Sequence, residues 1–248
     1  MKKIPLLISL VSIGLFTHAQ KEKIYTSLDE ALKNPSEVFI LSLTNQKLKE
    51  IPESITRLPN LTNLNLTGNK LTSVPESITR LEKLKELNLS FNKFNTIPET
   101  VTRIINLTEL DLSNNHVSFL PESITKLSKL NEIGLGGNLL TTVPESMDKL
   151  VDLKYLALPY NRFTVLPACI TRLTTLIVLD LNGNKLSTLP ENIGNLTALA
   201  ELYLESNQLS SLPGSLIKLN KLTIINLKKN PALRLSPSLK SFIENKKI

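Results

Sequence analysis

Carboxylates recur in this chain at intervals that would align them on one surface if the chain folds on a regular period: Glu86, Glu109, Asp111, Glu132, Asp180, Glu201 and Glu205. Such a row can attract a basic protein or peptide through its summed field. Glu109, Asp111 and Glu132 are also the set whose oxygens neighbouring strands would bring close enough for a calcium ion, although a solvated acidic face is the expected state and no cofactor or metal is assigned. Tyr155, Tyr160 and Tyr203, with Val178, fall in three consecutive units of the same pattern. Exposed tyrosine ringed by acids suits a contact centre for an Arg- or Lys-bearing partner.

Catalytic groups are sparse. The chain has two histidines, His18 and His116, and one cysteine, Cys169. Two histidines do not assemble a multi-histidine metal site, and no histidine falls within the repeat of Cys169 to activate it as a nucleophile. Cys169 occupies a column otherwise held by Ser54, Ser77, Thr100, Ser123 and Ser146, which reads as a small, partly buried filler. The chain is therefore expected not to be an enzyme. A hydrolase using Glu109 and Asp111 is the reading that a measured turnover would require.

The elements that position these residues follow from the composition and period. Apolar residues make up 41% of the 248 positions and aromatics 4%, so the core must be built on aliphatic side chains. At the start, Lys2 and Lys3 precede an apolar stretch from Ile4 to Phe16 and then Thr17-His18-Ala19, the layout of a signal peptide over residues 1–19 cleaved before Gln20. Thirteen apolar residues are too few to span a bilayer, so the mature chain is expected to carry no integral membrane segment. Setting Lys2 and Lys3 aside leaves 27 basic against 22 acidic side chains, and the formal charge falls from +7 to +5. Export to the periplasm, cell surface or medium follows, and the short lysine-led leader has a bacterial style.

From Val38 the chain repeats every 23 residues without insertion or deletion, with units starting at Val38, Leu61, Leu84, Leu107, Leu130, Leu153, Leu176, Leu199 and Leu222. In Leu64-Asn65-Leu66 apolar and polar residues alternate, as in a strand buried on one face. A fixed period places every such strand alike, so they can pair in parallel. Pro75 and its counterparts then end the strand segment and open a return in which Ile78 and Leu81 lie three apart, as on a helical turn. An asparagine column from Asn69 to Asn230, broken only by Gln46, is expected to bond loop amides and carbonyls of its own and adjoining units. Ser27-Leu28-Asp29-Glu30 reads as a capping box in an N-terminal cap helix at 20–37, and Ser236-Pro237 opens a C-terminal cap helix at 236–248 that closes repeats spanning 38–235.

The recurring Leu-x-x-Leu-x-Leu-x-x-Asn-x-Leu, as at Leu61, Leu64, Leu66, Asn69 and Leu71, resembles the leucine-rich-repeat family. Leu-Pro-Glu-Ser-Ile-Thr-x-Leu at 120–127 is similar to the Ras-group-like subclass found in Scribble-type scaffolds and plant intracellular repeat proteins. The resemblance implies an α/β solenoid, a curved horseshoe with a parallel concave sheet and short helical or irregular convex segments, and it implies protein binding. Enzymes of the family keep their chemistry in an appended domain, for which residues 236–248 leave no room.

The expected function is an exported module that binds a protein or peptide, one with a basic surface, on its concave face. An envelope or surface adhesion element that holds glycan or matrix through many weak contacts is the alternative. Nucleic acid is not an expected partner: on the convex side Glu53, Glu76, Glu99, Glu122 and Glu145 each stand four residues before a cation, an i,i+4 pattern that neutralises the stripe.

Overall fold

The computed structural model describes residues 23–244 and 246; the expected leader at 1–19 lies outside them. Ten strands run in chain order in one parallel sheet. They are β1 (Ile24–Tyr25), β2 (Ile40–Ser42), β3 (Asn63–Asn65), β4 (Glu86–Asn88), β5 (Glu109–Asp111), β6 (Glu132–Gly134), β7 (Tyr155–Ala157), β8 (Val178–Asp180), β9 (Glu201–Tyr203) and β10 (Ile224–Asn226). The register advances by 23 residues at each step from β2, as in Glu86↔Glu109, Leu87↔Leu110 and Asn88↔Asp111. The 23-residue period is thereby converted into rows of equivalent side chains about 4.8 Å apart. The architecture is a leucine-rich-repeat solenoid.

Each three-residue strand sends its middle residue into the core and its flanking pair to the concave face. Leu64, Leu87, Leu110, Leu156, Leu179 and Leu202 are buried, while most of the flanking residues are half-buried. Two phenylalanines, Phe94 and Phe163, enter this largely aliphatic core at a position that most other repeats fill with leucine or valine. On the far side the return segments are 3-10 turns such as Glu53–Arg57 and Glu76–Arg80. Ile55, Leu58 and Leu61 show why: they lie three apart and are all buried, and three residues per turn is the helix that eclipses i, i+3 and i+6. Pro52 and Pro75, held near φ −60° and −68°, accept the first bond of their turns from Ile55 and Ile78.

That geometry corrects the expected charge pairing. In a 3-10 turn residue i+4 is rotated away from i, and the ion pairs of the convex turns among the described residues run between repeats instead: Arg103 pairs with Glu76, and Arg172 pairs with Glu145 at 2.9 Å and Asp148 at 2.7 Å.

The asparagine column forms the ladder. Asn138 accepts from the Val117 amide at 2.9 Å and donates to the carbonyls of Leu112 and Leu135 at 3.0 Å and Gly136 at 3.3 Å, so one carboxamide ties two repeats together. Gln46 does the corresponding work at the first repeat, donating to the Thr26 carbonyl at 2.9 Å. Its partner follows strand β1, which pairs with β2 through Ile24↔Ile40 and Tyr25↔Leu41 and was not expected from the sequence. Tyr25 is buried there in place of a leucine. Between β1 and β2 the chain forms helix α1 (Leu28–Ala31), whose Ser27 cap accepts from the Glu30 amide, and a 3-10 turn at Pro35–Glu37. At the other end helix α2 (Pro237–Glu244) buries Leu239 and Ile243 and packs on the return turn Gly214–Lys218 of the eighth repeat. No helix among the described residues is long and apolar enough to cross a membrane.

Candidate functional site

Two rows of side chains run along the concave face. The first contains Asn63, Glu86, Glu109, Glu132, Tyr155, Val178 and Glu201, each the register partner of the next. The second contains Asn65, Asn88, Asp111, Gly134, Ala157, Asp180 and Tyr203. Nine of the eleven expected site residues therefore share this surface. The other two, Tyr160 and Glu205, lie in the loops that follow β7 and β9, beyond the paired strand residues, Glu205 at the repeat position that Thr67 and Ser90 hold. Tyr160 has φ +54° and its ring rests on Gly183 of the next repeat, while the side chain remains 66% exposed. Glu205 is neutralised by Lys229 at 2.8 Å and also accepts from Asn226 at 3.0 Å, which holds its carboxyl below the usual range.

The acidic centre lies on β4, β5 and β6. Glu86, Glu109 and Glu132 are stacked without an ion pair to any of them among the described residues. Burial, then the neighbouring Glu109 carboxylate, pushes Glu86 up to about 7, against the opposing pull of its bond from Asn63 and of Lys85. Glu132, only 9% exposed, is pushed up to about 7 by burial and then by Glu109, Asp111 and Glu86. Burial also raises Glu109 and Asp111; Asp111 is partly relieved by hydrogen bonds from Ser113, Ser90 and Asn88. These groups and Asn63, Asn65, Thr67, Asn88 and Ser90 line an open concavity of about 430 Å³.

The amides and hydroxyls in that lining were not singled out in the sequence. They continue the acidic rows toward the N-terminus as a bonded polar array: Thr67 donates to Asn88 Oδ1 at 2.8 Å, Ser90 does so at 2.6 Å, and Asn88 donates to Asp111 at 3.3 Å. Their shared 23-residue spacing was the available signal. In the loop after β6 Gly136 is buried under Pro159, which would stand 2.9 Å from an added Cβ, and at Gly137 Asn114 would stand 2.6 Å away, so neighbouring repeats pack closely against both glycines.

Toward the C-terminal half the face becomes aromatic. Tyr155 and Val178 continue the first row, and Tyr203 donates to Glu201 at 2.6 Å. Burial, that bond and the nearby Glu201 and Asp180 carboxylates raise the Tyr203 phenol, and burial lifts Asp180 to about 6 against the Asn182 amide that bonds to it. Cys169 is fully buried in its 3-10 turn, with its thiol pushed up to about 11 by burial, and His116 is exposed on a loop. Among the described residues no three His, Cys, Asp or Glu side chains are grouped to hold a metal ion.

Comparison with known proteins fits this geometry. Residues 36–94, 59–117 and 105–163 match the leucine rich repeat family, and residues 139–241 match the family described as a leucine-rich repeat region. No curated protein matches the chain. Among solved structures, a repeat protein of Leptospira interrogans is 35% identical with a TM-score of 0.79 over 90% of this chain and 63% of its own. The Arabidopsis receptor kinase HAESA, solved with the peptide hormone IDA and the co-receptor SERK1, is 31% identical with a TM-score of 0.66 over 75% of this chain and 33% of its own. Internalin C2 of Listeria monocytogenes, at 24% identity and a TM-score of 0.68 over 82% and 83%, shares the fold. The chain thus spans less than two thirds of the length of the first two.

Proposed function

We propose a function that proceeds from one premise: the chain belongs to the leucine-rich-repeat family. It is an exported, non-catalytic module that binds a protein or peptide with a basic surface in its concave face. The observation that carries this reading is the in-register stack of Glu86, Glu109 and Glu132, joined by Asp111, around an open hollow that supplies no cation of its own to pair with them. Half-buried carboxylates held close together without a counter-charge are an arrangement that a guanidinium or ammonium group stabilises. Tyr155 and Val178, next in the same row, add an apolar anchor beside the charged centre.

HAESA, a relative in fold and sequence, was solved with a peptide hormone, which supports a peptide-binding use of the family's surface. The extracellular setting is inferred from the lysine-led apolar leader in the sequence. The resemblance of the Leu-Pro-Glu-Ser-Ile-Thr motif supports reading the repeats as Ras-group-like.

Affinity capture with the full chain, run beside Glu86→Gln/Glu109→Gln/Glu132→Gln and Tyr155→Ala/Val178→Ala, tests the reading. A partner with a basic contact region, retained by the parent and lost by both variants at an unchanged melting temperature, is the expected result. A partner retained equally by all three proteins overturns it.

A further inference from the structure

A second charged surface lies on the edge where each repeat leaves the sheet, and its sign is opposite. The residue after the ladder asparagine is Lys47, Lys70, Lys93, His116, Arg162 or Lys185 in six of the first seven repeats, with Leu139 in the fifth. The six are exposed. Their positions are fixed by a second line of inter-repeat bonds: the amides of Lys70, Lys93, His116, Arg162 and Lys185 donate to carbonyls of the preceding repeat at 2.7 to 2.9 Å. The row therefore holds its charges in register over about 30 Å, six steps of about 4.8 Å each.

Unlike Arg103 and Arg172 of the convex side, these cations have no acidic partner among the described residues. None of the five Lys and Arg side chains makes an ion pair or donates a hydrogen bond among the described residues. Over the same segment of each repeat the other exposed positions are mostly Thr, Ser and Asn, with Lys49 adding a cation and Glu50 an acid.

Apolar side chains protrude along this edge, as Ile105 and Val151 do along the opposite one. Phe91 is 53% exposed, Phe119 57%, Val165 61% and Tyr160 66%. Phe91 and Tyr160 each stand two residues before a cation of the row, Lys93 and Arg162, with the buried Asn92 or Asn161 between, so ring and charge emerge side by side. Both rings are carried at φ +54°, a region where a bulky residue is strained, and the protein nonetheless presents them to solvent.

We propose that this edge docks on a negatively charged lipid bilayer, with the lysine and arginine row against the phosphate headgroups. Cations at a bilayer surface and Phe, Tyr or Val at the headgroup boundary are stabilised together there. The protruding apolar groups favour a bilayer over a dissolved polyanion, which would satisfy the cations but leave Phe119 and Val165 in water. The surface is separate from the concave hollow, so the two can be disabled independently.

Sedimentation with vesicles of phosphatidylcholine, alone or with about a third phosphatidylglycerol, tests the proposal with the full chain and with variants that share every other residue. The parent is expected to bind the anionic vesicles, and Lys70→Gln/Lys93→Gln/Arg162→Gln to bind them about a hundredfold less, taking about fivefold per cation. Phe119→Ser/Val165→Ser is expected to lose binding severalfold at an unchanged melting temperature, while Lys83→Gln/Lys129→Gln on the opposite edge matches the parent. The proposal is overturned if the row variant sediments like the parent, if the opposite-edge variant loses as much, or if a single-stranded oligonucleotide binds as tightly and releases the protein from vesicles.

Discussion

At the residue scale the concave carboxylates link binding and stability with opposite signs. In the unfolded chain a glutamate titrates near 4.3, whereas Glu86 and Glu132 in the fold titrate near 7. Between those values the folded protein holds protons that the unfolded chain has released. The stability from these groups is therefore complete below about pH 4.3 and is lost as the pH rises through about 7. Glu132→Gln should raise unfolding free energy by about 2 kcal/mol at pH 8 and by little at pH 5, measured by urea denaturation at the two values. An equal effect at both would show that Glu132 is already charged at pH 5. The carboxylate rows themselves were readable in the sequence because the period never slips. Their titration was not, since it depends on how deeply the sheet buries each carboxyl and on which of them meet across β4, β5 and β6.

At the scale of the element the asparagine ladder carries the clearest consequence. Removing the Asn138 carboxamide strands the Val117 amide in the core, while the Leu112 and Leu135 carbonyls keep the bonds they accept from Asn115 and Asn161 at 2.9 Å. An unsatisfied buried group costs about 1–3 kcal/mol, so Asn138→Ala should destabilise by about that amount, whereas Gln46→Ala, at an exposed position, should cost less than about 1 kcal/mol. Thermal and chemical denaturation of both variants would check the contrast; equal losses would contradict it. This ladder was legible because a buried loop needs partners and only asparagine recurs at the right place. Strand β1 was not, because Ile24–Tyr25 stands outside the period and becomes a strand only by pairing with β2. The convex ion pairs were misread for a related reason: i,i+4 spacing means proximity on an α-helix, and the 3-10 turn moves the partner to the next repeat.

For the whole molecule, one repeated unit yields surfaces of different character from positions a few residues apart. The sheet rows concentrate carboxylates, the edge concentrates lysines, and the convex turns alternate the two signs. A net charge of +7 conceals this separation, and reading the columns of the repeat individually recovers it. Because each repeat touches chiefly its neighbours, charge changes on the sheet and on the edge should alter their own surfaces and leave the other intact.

The proposed role of the stacked carboxylates of β4, β5 and β6 is to attract a basic partner. The measurement that addresses it most directly is the affinity of a captured partner at pH 5.5 and pH 8, for the parent and for Glu86→Gln/Glu109→Gln/Glu132→Gln. Ionisation of Glu86 and Glu132 across that interval predicts binding by the parent at least about tenfold tighter at pH 8, with the triple variant weak and insensitive to pH. Parent affinity that stays constant or falls with rising pH, or a variant that binds as the parent does, would contradict the account.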